Sequence, residues 1–113
     1  MQRYSFSVYL KSQLQTRPAT LLLQLAGTDA MGCLLLSGQE YYFQGKILRK
    51  GHFVFSIPLE IRGKREDCDM LLQQRDGFLQ GSLLTSGGCW TVEGTQQPAD
   101  GSGAAQNPGD QKQ

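Results

Sequence analysis

The segment GCLLLSGQEYYFQG, residues 32–45, returns as GSLLTSGGCWTVEG, residues 81–94, at an offset of 49 positions and without a gap. Held at that offset, 4–46 aligns with 53–95, and twelve of the 43 pairs are identical, among them Phe6/Phe55, Leu10/Leu59, Leu22/Leu71, Gly32/Gly81, Leu34/Leu83 and Gly45/Gly94. Self-similarity at a fixed period marks one supersecondary unit used twice, so the fold has to be assembled from two like halves.

Within each unit apolar residues recur at every second position, the pattern of a strand with one buried face. Tyr4, Phe6, Val8 and Leu10 alternate with Ser5, Ser7, Tyr9 and Lys11, and Phe53, Phe55, Ile57 and Leu59 repeat the scheme. Further strands are expected near 20–25, 31–37 and 40–48, with counterparts near 69–74, 80–86 and 89–95, which makes four strands per unit. No stretch sustains the three-and-four spacing of an amphipathic helix. Most connections are tight. Ser37-Gly38, Asp76-Gly77 and Ser86-Gly87-Gly88 put glycine where a hairpin needs positive φ, and 49–52 turns the first unit into the second. Only 12–19 and 61–68, equivalent places in the two units, are expected as long loops.

Eight sequential antiparallel strands in two halves can close into an up-and-down barrel, removing both exposed edges, or stack as a sandwich of two four-stranded sheets. The all-β meander barrel is the expectation, occupying 1–95 with repeats 4–46 and 53–95. Pro58 has no N–H and falls inside an expected strand, which places a bulge or a seam beside the fifth strand.

A meander of eight short strands resembles the calycin-type barrels, the group of lipocalins, fatty-acid-binding proteins and avidins, and Gly88-Cys89-Trp90 resembles the G-x-W of lipocalins. There the motif sits on the first strand, whereas here it opens the last. The resemblance implies a barrel and invites a hydrophobic-ligand hypothesis. No binding residue is carried over from it.

Following alternate residues, the inward set runs through Tyr4, Phe6, Val8, Leu10, Leu21, Leu23, Leu34, Leu36, Tyr41 and Phe43, then Phe53, Phe55, Ile57, Leu59, Met70, Leu72, Leu83, Trp90 and Val92. Nearly all are large, and an eight-stranded barrel is only wide enough for side chains to fill or for one small ligand. A packed centre is therefore expected; if a small apolar ligand is carried instead, Tyr41, Phe55 and Trp90 are its lining. On the outward register lie Leu22, Leu35, Leu71 and Leu84, joined by Tyr9 and Tyr42. Such apolar residues either form a contact surface, self-association being the simplest use, or are covered by a loop or tail.

Catalytic chemistry finds little footing. His52 is the only histidine and falls at a hairpin tip, and Cys33, Cys68 and Cys89 are scattered, with no C-x-x-C pair and an odd count. Glu66, Asp67 and Asp69 lack the spacing of a calcium loop and are neighboured by Arg62, Lys64 and Arg65. No metal and no cofactor is expected. Two basic runs, 46–52 and 62–65, belong to loops at opposite ends of a meander, so they make no single track for nucleic acid.

Lysine and arginine number 11 against 10 acids, so no net field draws the chain to phosphate or lipid. The opening residues alternate rather than forming a signal-peptide core, and no segment is apolar enough for a membrane span, which makes a cytoplasmic location the expectation. The segment 96–113 has no aromatic or large aliphatic residue and is expected to be a disordered tail. The functional expectation is a non-enzymatic interaction or scaffold module that self-associates or binds a protein partner, with the carrier of a small apolar ligand as the alternative.

Overall fold

The computed structural model describes residues 2–61 and 63–97. Eight strands follow in chain order: β1 (Gln2–Lys11), β2 (Thr16–Ala26), β3 (Asp29–Leu36), β4 (Gln39–Arg49), β5 (His52–Ile61), β6 (Lys64–Arg75), β7 (Phe78–Thr85) and β8 (Gly88–Gln96). Each pairs antiparallel with the next, and β8 returns to β1 to close the barrel. Among the described residues no helix is long and apolar enough to cross a membrane.

The duplication is written into the hydrogen-bond registers. Phe6↔Leu21, Leu21↔Leu34 and Leu34↔Tyr41 in the first unit become Phe55↔Met70, Met70↔Leu83 and Leu83↔Trp90 in the second, each partner displaced by the same 49 positions. The two joints differ. Gly45 faces Phe55 across β4–β5, whereas its counterpart Gly94 faces Val8, the counterpart of Ile57, so closure is slipped by two residues. A slip of two preserves which side chains point inward.

Stepping from strand to strand along paired residues leads from Gln2 through Leu25, Ala30, Gly45, Phe55, Met70 and Leu83 to Trp90. Thr91 pairs with Lys11, so Trp90 arrives beside Ser12, ten positions beyond the start at Gln2. A stagger of this size on eight strands corresponds to a tilt of about 40° and a backbone radius of about 8 Å. Such a tube is filled by side chains, and Phe6, Leu21, Leu23, Leu34, Phe55, Ile57, Met70, Leu79 and Val92 are fully buried inside it. Phe55 takes the middle, edge-on to Phe43 at 4.7 Å between ring centroids and stacked on Phe53 at 6.0 Å.

Coiling a sheet this tightly brings backbones together at the inward glycines. A Cβ on Gly32 would overlap the Leu22 carbonyl oxygen, and one on its counterpart Gly81 would overlap that of Leu71. The hairpins at Ser37-Gly38 and Asp76-Gly77 have both residues at positive φ, 54° and 80° in the first and 51° and 81° in the second, as the tight two-residue turn requires.

Two expectations need correction. The long loops expected at 12–19 and 61–68 are mostly strand: β2 starts at Thr16 and β6 at Lys64, with Leu10↔Arg17 and Leu59↔Glu66 as equivalent pairs. Their inward positions near the barrel end are polar because that end faces water, which hides the alternation. At the other extreme, β8 includes Gln96, and the Gln97 N–H donates to the Ser5 carbonyl at 2.7 Å; the rest of the expected tail, 98–113, lies outside the described residues.

The seam expected beside β5 is present. The β4–β5 register shifts between Ile47 and Arg49 and its last pair is Gln44↔Ser56, so Pro58 lies beyond the reach of β4 and pairs only across to Asp67 on β6. Pro18 has the same circumstance on β2, facing Tyr9 of β1 before the β3 ladder begins at Thr20. A residue without an N–H costs least where one flank of the strand is unpaired.

Candidate functional site

Closure leaves an outer wall and two rims as the places where function can act. On the outer wall, strand alternation turns Leu22, Met31, Cys33, Leu35 and Tyr42 outward. Leu22, Cys33 and Tyr42 lie directly opposite one another across β2, β3 and β4, with Met31 and Leu35 flanking Cys33 on β3. Exposure reaches 40% for Leu22, 47% for Met31 and 65% for Tyr42, while Leu35 is half-buried and Cys33 is buried among them. A groove of about 700 Å³ runs across this wall to Ser56 and Pro58, where the β4–β5 ladder has stopped.

Leu71 and Leu84 are exposed as well, on β6 and β7, and those strands lie across the ring from β2 and β3. The four outward leucines therefore form two patches on opposite walls. The second patch is interrupted between its leucines: Leu71 faces Val54 on one side and Ser82 on the other, and Leu84 faces Asp69 and Cys89. Cys33 and Met31, which complete the first patch, escaped sequence reasoning because their counterparts Ser82 and Gln80 are polar and the repeat drew attention to identical positions.

The first wall holds one carboxylate, Glu40, directly opposite Leu35. Tyr42 Oη donates to Glu40 at 2.9 Å, which holds that phenol above its ordinary pKa. Lys46 pairs with Asp29 near the end of the barrel. Burial first, and Glu40 second, push the Cys33 thiol up, so it stays protonated and unreactive at neutral pH.

The two rims are built differently. The lower rim, where the β2–β3, β4–β5 and β6–β7 turns lie, is tied by backbone: Ile47 N–H to the Thr28 carbonyl, Gln74 N–H to that of Gly51, and Gln96 N–H to that of Gly77. The upper rim carries the β1–β2, β3–β4, β5–β6 and β7–β8 turns, and side chains hold it. Arg17 donates to Ser37 Oγ, and at the equivalent positions Glu66 accepts from the Ser86 N–H at 2.5 Å and its hydroxyl at 2.7 Å. Those two bonds hold the Glu66 carboxyl below the usual range. An open cleft of about 570 Å³ lies at this rim, with Leu10, Leu36, Leu59 and Leu83 at its base and Tyr41 and Trp90 on its sides.

Of the three residues expected to line a ligand cavity, Tyr41 and Trp90, repeat counterparts on opposite strands of the ring, both line the upper-rim cleft and pack partly against the core. Phe55 is apart from them, enclosed by Phe43 and Phe53. Elsewhere, His52 sits on the lower rim with Nδ1 3.1 Å from the Lys50 carbonyl. The strand pleat sends Glu66 inward and Asp67 and Asp69 outward, and among the described residues no group of three metal-ligating side chains gathers. Compared with protein-family models, curated proteins and solved structures, the chain finds no match.

Proposed function

We propose that this protein is a non-enzymatic β-barrel acting as an interaction module, and that it pairs with a second copy of itself through the outer wall of β2, β3 and β4. The observation carrying this reading is the contiguous Leu22–Cys33–Tyr42 row with Met31 and Leu35 beside it, an apolar surface on a wall whose twin across the barrel is interrupted by Ser82 and Asp69. Apolar patches of this kind on small proteins mark contact surfaces.

A second copy fits better than a highly charged partner, because Thr20, Gln24 and Gln44 surround the patch, the Glu40 carboxylate opposite Leu35 accepts from the wall's own Tyr42, and Asp29 and Lys46 pair with each other. A surface whose one carboxylate is held by its own Tyr42 meets its image with little like-charge repulsion, and a twofold pairing buries Tyr42 of each copy against the groove of the other. The calycin likeness belongs to the same proposal, supported by the closed eight-stranded meander with Gly88-Cys89-Trp90 opening β8. Three free thiols accord with a reducing cytoplasm.

Light scattering over a range of concentrations tests the pairing. The wild-type protein is expected to approach dimer mass as concentration rises, Met31→Lys to remain monomeric, and Leu71→Lys to behave as wild type. Wild-type protein that stays monomeric throughout removes the proposal.

A further inference from the structure

We infer that the lower rim docks on an anionic bilayer surface at the corner made by the β4–β5 and β6–β7 hairpins, with Leu48 and Phe78 entering the headgroup layer and Arg49, Lys50 and Arg75 holding its charge. Leu48 is 64% exposed and Phe78 63%, and neither joins the buried cluster, so the barrel does not use them for its core. The fold brings them to one place. Leu48 stands where the β4–β5 register shifts, and it lines a shallow groove with His52, Gln73 and Gln80, which sets it over β5 and β6 toward β7. Phe78 opens β7 two residues before Gln80 and faces Arg75 across the hairpin. The Gly51 carbonyl accepts from the Gln74 N–H at 2.7 Å, which places the 49–51 tip beside Arg75.

Charge selects the occupant. Among the described residues the salt bridges are Lys11–Glu93 and Lys46–Asp29, so Arg49, Lys50 and Arg75, all exposed, hold no carboxylate, and Asp76 is the single acid of the two hairpin tips. A second copy would meet this corner with like charge. The duplicated hairpin offers no equivalent either, since Arg75 and Phe78 stand where the first unit has the pair Ala26 and Asp29. Nucleic acid would use the cations and leave Leu48 and Phe78 in water. A bilayer with anionic headgroups uses both, because apolar side chains enter the headgroup boundary while lysine and arginine gather at its surface. With a net charge of +1 the chain has no long-range attraction to such a surface, so the contact forms only where this corner faces it. The corner shares no residue with the Leu22–Cys33–Tyr42 wall and stands or falls apart from self-association.

Co-sedimentation of the full-length protein with vesicles of equal parts phosphatidylcholine and phosphatidylserine tests the docking. The protein is expected to sediment with the mixed vesicles, to stay in solution with phosphatidylcholine alone, and to be released as salt screens the headgroups. Lys50→Gln is expected to lower the partition about fivefold and Phe78→Ser about tenfold. Leu14→Ser, which removes a 94% exposed apolar side chain from the upper rim, is expected to leave it unchanged. All three positions are exposed, and each variant is scored once its circular dichroism shows the β-barrel folded. No sedimentation with the mixed vesicles overturns the inference, as does a partition that Phe78→Ser leaves intact or that Leu14→Ser lowers equally. Duplex DNA that strips the protein from the vesicles and binds wild type and Phe78→Ser alike overturns it too, since the cations would then serve a nucleic acid.

Discussion

An added methyl group at Gly32 or Gly81 meets a carbonyl oxygen of the neighbouring strand, and no rotamer relieves the collision. Gly32→Ala and Gly81→Ala are each expected to lower stability by about 1–3 kcal/mol in denaturant titrations, the range for overpacking a close-packed site. Glu66 illustrates a different residue-scale effect. Its folded pKa is depressed by the Ser86 bonds, so its contribution is complete above the unfolded value of about 4.3 and is lost as pH falls through the lower folded value. Melting temperatures of wild type and Glu66→Gln, followed downward from pH 6, are expected to converge as that carboxylate protonates; a constant difference contradicts the assignment. Among the thiols, Cys89 is exposed, whereas Cys33 and Cys68 are buried and their thiols pushed up, chiefly by desolvation. A thiol reagent is expected to label the native protein quickly at Cys89 alone.

At the scale of elements, the ladders are unequal. β1–β2 and β5–β6 have ten residue pairs each, closure between β1 and β8 has six, and β4–β5 has five with a bulge among them. Amides of β4 facing the gap beyond Gln44↔Ser56 are expected to exchange with deuterium faster than those of the β1–β8 closure, and equal protection contradicts a seam there. The strands were legible wherever one face was buried, since Tyr4–Leu10 and Phe53–Leu59 alternate plainly. The starts of their partners β2 and β6 are hidden in the sequence because Arg17 and Glu66 are inward yet polar at a wet rim. Pro58 was legible for the physical reason that a missing N–H demands an unpaired flank, and the end of the β4 ladder provides it.

For the whole molecule, the repeat made the barrel legible but left its closure open: identical registers within the units follow from duplication, while the two-residue slip between β4–β5 and β8–β1 has no trace in the 49-residue offset. The candidate sites were legible in part. Outward leucines could be counted, but that they divide between opposite walls, and that Cys33 and Met31 favour one of them, depends on the ring. The division matters for assembly, because two equally adhesive walls on opposite sides would propagate open chains, whereas one self-complementary wall stops at a dimer. The most direct measurement is a backbone amide nuclear magnetic resonance spectrum recorded across a concentration series. The account predicts that resonances of Leu22, Met31, Cys33 and Tyr42 move with concentration while those of Leu71 and Leu84 stay fixed. Movement confined to the β6–β7 wall, or none at all, would contradict it.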